Sequence, residues 1–184
     1  MPEKHRTRRQ RVHVGDDSGR VFEADLPADA LLARYGVGGG YVDCFIAAIP
    51  GHVTQAAFVE AFYTTVLFKL ERLVLALLVS RPSTDLEARR LAVGETERFA
   101  AWTVEAREAD QILLCDFMGS TRSWLMSVVD PAAPSPTTRL YFGSAIVPRK
   151  GAAGLGVGFR AMVPFHRLYA RALLKAAVRR LMSS

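Results

Sequence analysis

Two tryptophans, an aspartate and an arginine stand where strand pairing can gather them. The segments Trp102 to Arg107, Gln111 to Met118 and Arg122 to Val129 alternate apolar and polar residues, the period of half-buried strands. Glu108-Ala109-Asp110 and Gly119-Ser120-Thr121 supply the turns between them. If Arg107 faces Gln111 and Met118 faces Arg122, then Trp102, Asp116 and Trp124 lie side by side on one sheet face. Val104, Leu114 and Met126 form the next row, and Ala106, Ile112 and Val128 the one beyond. A single carboxylate then sits between two indoles, with Arg122 diagonal to it as counter-ion. In an apolar cavity such a pair orients a polar head group or works as an acid or base. The alternatives are a structural ion pair or a pair facing water. The placement rests on the turns, because a one-residue slip sends every side chain to the other face.

A second group lies near the C-terminus. Arg167, Arg171, Lys175 and Arg179 recur every four residues, while His166, Tyr169, Leu173 and Ala177 fall on the opposite side of the same helix. The basic stripe is expected to face solvent. His166 and Tyr169 then face the sheet and offer a hydrogen-bond donor and acceptor, or they serve as ordinary packing residues with satisfied polar tips.

Other motifs are negative. Gly36 to Gly40 and Gly151 to Gly158 hold neither a dinucleotide fingerprint nor a phosphate-binding lysine loop, although Gly151 to Gly158 is loose enough to serve as a lid. Ser120 and Ser144 each follow a glycine without the frame of a hydrolase nucleophile. The four histidines keep no metal-ligand spacing with cysteine or acid. Neither a metal nor an organic cofactor is expected, and no catalytic residue is assigned.

Several elements must position these residues. Phe58, Phe62, Val66, Leu70, Leu73 and Leu77 form an apolar helical face within Val53 to Val79. Thr54 is its cap, Thr64-Thr65 is a candidate break, and Arg81 to Thr84 ends the helical region. Tyr41 to Ile49 reads as a strand closed by Pro50-Gly51. Arg11 to Val14 and Arg20 to Ala24 flank turn residues and suggest a weak hairpin. Beyond Val129 a proline-rich loop leads to a strand over Thr138 to Val147, which completes a meander. The last helix runs from Phe165 to Met182, with Pro164 in its first turn.

With 184 residues, half of them hydrophobic, the chain suits one domain with a core of its own. Residues 1–19 are expected to form a basic tail with the possible hairpin, and 20–184 a single domain. The net charge of +6 is uneven: residues 131–184 carry nine bases and no acid, whereas 12–130 carry ten bases and seventeen acids. Basic ends folding back over an acidic middle account for this, and without interleaved aromatics a nucleic-acid partner is not expected. Docking of the basic helix on an anionic membrane is the weaker alternative to a solvated face. The longest apolar runs are too short to span a bilayer. A basic start without an apolar stretch, together with two distant cysteines, points to the cytoplasm.

The segments AFYTTVLFKLER, WTVEAR, TRSWLM, LYFGSAIVP and FHRLYARALL resemble an uncharacterised bacterial domain-of-unknown-function family grouped with the START-like (SRPBCC, Bet v 1-like) proteins. The resemblance implies an α+β helix-grip fold, a curved antiparallel sheet wrapped around a long C-terminal helix, with an apolar cavity between them. It implies no shared catalytic residues. The leading expectation is a binder of a hydrophobic small molecule such as a lipid, sterol or polyketide, lined by Trp102, Asp116, Arg122, Trp124, Met126, Phe142, His166 and Tyr169. A cyclase or hydrolase-like enzyme using Asp116, Arg122 or His166, and an interaction module docking through the basic helix, are the alternatives.

Overall fold

The computed structural model describes residues 18–36, 40–70, 83–147 and 157–183. Within them the chain is α+β. Seven strands form one antiparallel sheet in the order β1-β2-β7-β6-β5-β4-β3. They are β1 (Val21–Glu23), β2 (Tyr41–Pro50), β3 (Arg98–Phe99), β4 (Trp102–Arg107), β5 (Gln111–Asp116), β6 (Thr121–Val129) and β7 (Thr137–Ile146). Helices α1 (Gln55–Tyr63), α2 (Asp85–Ala92) and α3 (Val157–Met182) and a 3-10 helix over Leu31–Tyr35 complete it. The expected meander is β4 to β7, and Tyr41 to Ile49 is strand β2.

Each face of the sheet has its own cover. Phe45, Ile112, Leu114, Leu125, Leu140 and Phe142 point inward to α1 and α3, where Phe58, Phe62, Leu173, Leu174 and Val178 meet them. Cys44, Leu113, Trp124, Met126 and Ala145 point the other way and are covered by Ala30 and by Leu32 of the 3-10 helix. That helix was not legible in the sequence. Gln111 pins it: the side-chain oxygen accepts from the Leu31 backbone N–H at 2.9 Å and from Trp124 Nε1–H at 2.8 Å.

The helical region breaks at Thr64-Thr65, the candidate break. Thr54 caps α1 by accepting from the Ala57 N–H, but the helix stops at Tyr63, and residues 66–70 begin a new helical segment. Thr64 and Thr65 turn their hydroxyls back onto the carbonyls of Glu60 and Phe62, which competes with continued helix. The break changes the phase. Phe58 and Phe62 are buried, whereas Val66 is 86% and Leu70 58% exposed, and Phe68 takes the core position instead. Leu73 and Leu77 lie outside the described residues.

Two further expectations are corrected, and a third is not tested. Thr84 does not close the helical region; with Glu87 it forms a capping box that opens α2. Pro164 lies inside α3 rather than in its first turn. In the described chain β1 pairs with β2, while Arg11 to Val14, the other arm of the expected hairpin, lies outside it. The same holds for the tail before residue 18, for 37–39 of the glycine joint, and for 151–156 of the candidate lid.

Gly143 lies where β7 passes between the 3-10 helix and Trp124. A Cβ there would sit 2.7 Å from Leu32 Cδ2, 2.9 Å from the Asp43 carbonyl oxygen and 3.0 Å from Trp124 Cε3. Backbone on one side and a packed indole on the other cannot both yield. Gly143→Ala is therefore expected to cost about 1 to 3 kcal/mol, the usual cost of overpacking, measured as a lower urea midpoint with unchanged slope.

Candidate functional site

The register of β5 on β6 decides which side chains meet. Trp102 faces Asp116 across β4 and β5, as the sequence predicts. On β6, however, Cys115 faces Arg122 and Leu113 faces Trp124, three positions from the expected pairing. An odd offset exchanges the faces. The cause is the turn: Asp116 leaves the ladder and its carboxylate accepts from the backbone N–H of Ser120 at 2.7 Å and of Thr121 at 3.0 Å, while Gly119 adopts a left-handed φ of 71°.

Trp124 and Met126 therefore pack in the outer core and do not join Trp102 and Asp116. A bulge at Glu105 in β4 also sends Ala106 outward to pair with Leu113. The expected Asp116–Arg122 ion pair is not formed. The Arg122 guanidinium instead donates to Glu105 at 2.6 Å, to the Tyr35 hydroxyl at 3.0 Å and to the Gly119 carbonyl at 2.8 Å, and stacks over the Tyr35 ring.

A cavity of about 400 Å³ opens between the inner sheet face, the end of α1 and α3. Trp102, Asp116, Arg122, Phe142, His166 and Tyr169 of the expected residues border it, joined by Phe62, Phe68, Ser123, Ser144, Ala170 and Leu173. Phe117 and Phe165 border it and are also 48% and 64% exposed, which marks its mouth. The Trp102 indole N–H is buried without a partner. On α3 the buried side carries Ala170, Leu173, Leu174, Ala177 and Val178, while Arg171, Lys175 and Arg179 face solvent. Arg167 pairs with Glu23.

Behind Ser144 and His166, which border the cavity, stands a residue without a role in the sequence-based expectations. Asp43 lies opposite Ser144 in the β2–β7 ladder and is 6% exposed. Its Oδ1 accepts from Ser144 N–H at 3.0 Å and Ser144 Oγ–H at 2.6 Å, and its Oδ2 accepts from the Tyr41 hydroxyl at 3.0 Å. His166 Nε2 lies 2.7 Å from Ser144 Oγ and 3.5 Å from Asp43 Oδ2, with the imidazole edge-on to Tyr41. An acid within an otherwise apolar strand, Val42-Asp43-Cys44-Phe45, was the available signal.

The proton order follows from the inventory of donors. Ser144 has one proton and gives it to Asp43, so its oxygen accepts from His166, which carries hydrogen on Nε2. A hydrolytic triad runs the other way, with histidine taking the serine proton and the acid on its far nitrogen. In this arrangement the hydrogen bonds hold Ser144 Oγ between Asp43 and His166. Tyr41 is kept neutral as well, its pKa pushed above the usual 10.0 by burial and by the Asp43 carboxylate.

Among the described residues no cluster of histidine, cysteine and acid could hold a metal, and no helix is long and apolar enough to cross a membrane. Neither cysteine forms a disulfide. Burial, then the Asp43 charge, pushes the Cys44 thiol from 9.0 up to about 12. Because the folded state holds this proton more tightly, its contribution to stability is complete below pH 9.0 and is lost as pH rises toward 12. Cys115, only partly buried, is expected to react first with iodoacetamide at pH 8, and Cys44 only as fast as the protein opens. Intact-mass kinetics would show this as two separated additions. In comparisons with known proteins, no family model, curated protein or solved structure matches the chain.

Proposed function

We propose that the chain is a START-like helix-grip domain, its sheet curved around α3, that binds a hydrophobic small molecule in the cavity between them. The observation that carries this is a cavity of about 400 Å³ walled by Phe62, Phe68, Phe142 and Leu173, with a few polar groups such as Asp116, Ser144 and His166 at its border. Ligand sites are commonly of this size and of this division between apolar walls and a few placed polar groups. The order of elements, with a long last helix packed on β2, β7 and α1, supports the fold assignment. The proton order at Ser144 favours binding over hydrolysis.

The test is extraction of the purified protein into organic solvent followed by mass spectrometry, with thermal unfolding in a panel of lipophiles alongside. Ligand at a hundredfold excess over its Kd is expected to stabilise the fold by about 2.7 kcal/mol. Ala170→Phe, which fills the cavity from α3, is expected to abolish that shift. No extracted lipophile and no thermal shift across the panel would reject the reading.

A further inference from the structure

We propose that the polar wall at Ser144 selects an uncharged, hydroxyl-bearing lipophile and excludes the corresponding carboxylate. This rests on the binding reading above and adds the chemistry of the ligand's head group. Donors and acceptors at the wall are unequal. Asp43 accepts from Ser144 N–H, Ser144 O–H and Tyr41 O–H. Ser144 Oγ has given its proton to Asp43 and takes one from His166 Nε2, which leaves one lone pair. In the imidazole tautomer with hydrogen on Nε2, the other ring nitrogen, Nδ1, is an acceptor. The wall at Ser144 thus offers acceptors, and a ligand hydroxyl supplies the donor they lack, while the unpartnered Trp102 indole N–H at the same cavity adds a neutral donor.

Charge points the same way. Two carboxylates bear on the cavity, Asp116 at its border and Asp43 directly behind Ser144. The guanidinium of Arg122, which borders it, is paired with Glu105, and Arg167, whose charge reaches Tyr41, is paired with Glu23. An anionic head group would meet Asp43 with both of these cations already paired, in surroundings where water screens little. An ammonium would have to shed its hydration among phenylalanines, where Asp43 already accepts three hydrogen bonds.

The experiment compares decan-1-ol, decanoate and decane at pH 8 by calorimetry and displacement of a fluorescent lipophilic probe. The alcohol is expected to bind at least tenfold more tightly than decanoate. Ser144→Ala is expected to weaken the alcohol several-fold and leave decane unchanged. Asp43→Asn is expected to narrow the gap by admitting decanoate. The wild-type comparison decides even if a variant does not fold. Decanoate binding as well as or better than the alcohol overturns the selectivity and leaves the binding function standing. Failure of all three to bind rejects both.

Discussion

Trp124→Ala is expected to lower stability by about 3 to 5 kcal/mol, the range for emptying a large aromatic site, and to leave the affinity of the folded protein for its ligand unchanged. Trp124 is fully buried, but between the outer sheet face and the 3-10 helix, with Gly143 beneath it and Tyr141 6.2 Å away. Phe142, one residue along β7 from Gly143, borders the cavity. Phe142→Ala is therefore the control: it should lose stability and also change ligand affinity. Urea unfolding together with probe titration separates the two. Weakened binding in Trp124→Ala at full occupancy of the native state would place the indole in the site after all.

The contrast between these neighbours shows what patterning can and cannot convey. Strand existence was legible at β4, β5, β6 and β7, because alternation over six to ten residues is a repeated signal, and at β2 from a β-branched and aromatic run closed by Pro50-Gly51. For β4 on β5 the pairing of Trp102 with Asp116 was legible, but at the turn Arg107 faces Ile112 and not the expected Gln111, and the bulge between Val104 and Ala106 restores the expected register beyond it. Register was not legible for β5 on β6. There the Asp116 side chain substitutes for backbone in satisfying the amides of Ser120 and Thr121, so the strand ends two residues before the apolar Phe117-Met118 run suggests. Those two side chains are 48% and 57% exposed. Apolarity alone gave no sign of that.

Of the candidate site, the α3 side was the more legible. His166 and Tyr169 follow from helical spacing, which holds whatever the sheet does. The Asp43–Ser144 side depends on β2 pairing with β7 across about a hundred residues of chain, a long-range pairing that local patterning does not encode. Ser144 was read only for a nucleophile frame, which tested the wrong role. Helix α2 was missed although Thr84 and Glu87 stand at capping-box spacing; proline at 82 drew attention to an ending when a beginning followed.

Gln111→Leu is expected to cost about 2 to 5 kcal/mol, because it strands two or more buried polar groups at about 1 to 3 kcal/mol each. Gln111 is 1% exposed and all four of its hydrogen-bonding positions are used. Its oxygen holds Leu31 N–H and Trp124 Nε1–H, and its nitrogen donates to the Asp29 carbonyl at 3.1 Å and to Glu108 at 2.8 Å. The cost should depend on Trp124. In a Trp124→Phe background the indole donor is already gone, so Gln111→Leu should cost clearly less there, and a double-mutant cycle by chemical denaturation measures the difference. Additive costs would mean that the side chain acts only by filling space. A second readout is local: the 3-10 helix has few backbone bonds of its own, so once Gln111 is lost the Leu31 amide should exchange with solvent faster than the β6 amides. Uniformly faster exchange across β6 and the 3-10 helix would instead assign Gln111 to the sheet as a whole.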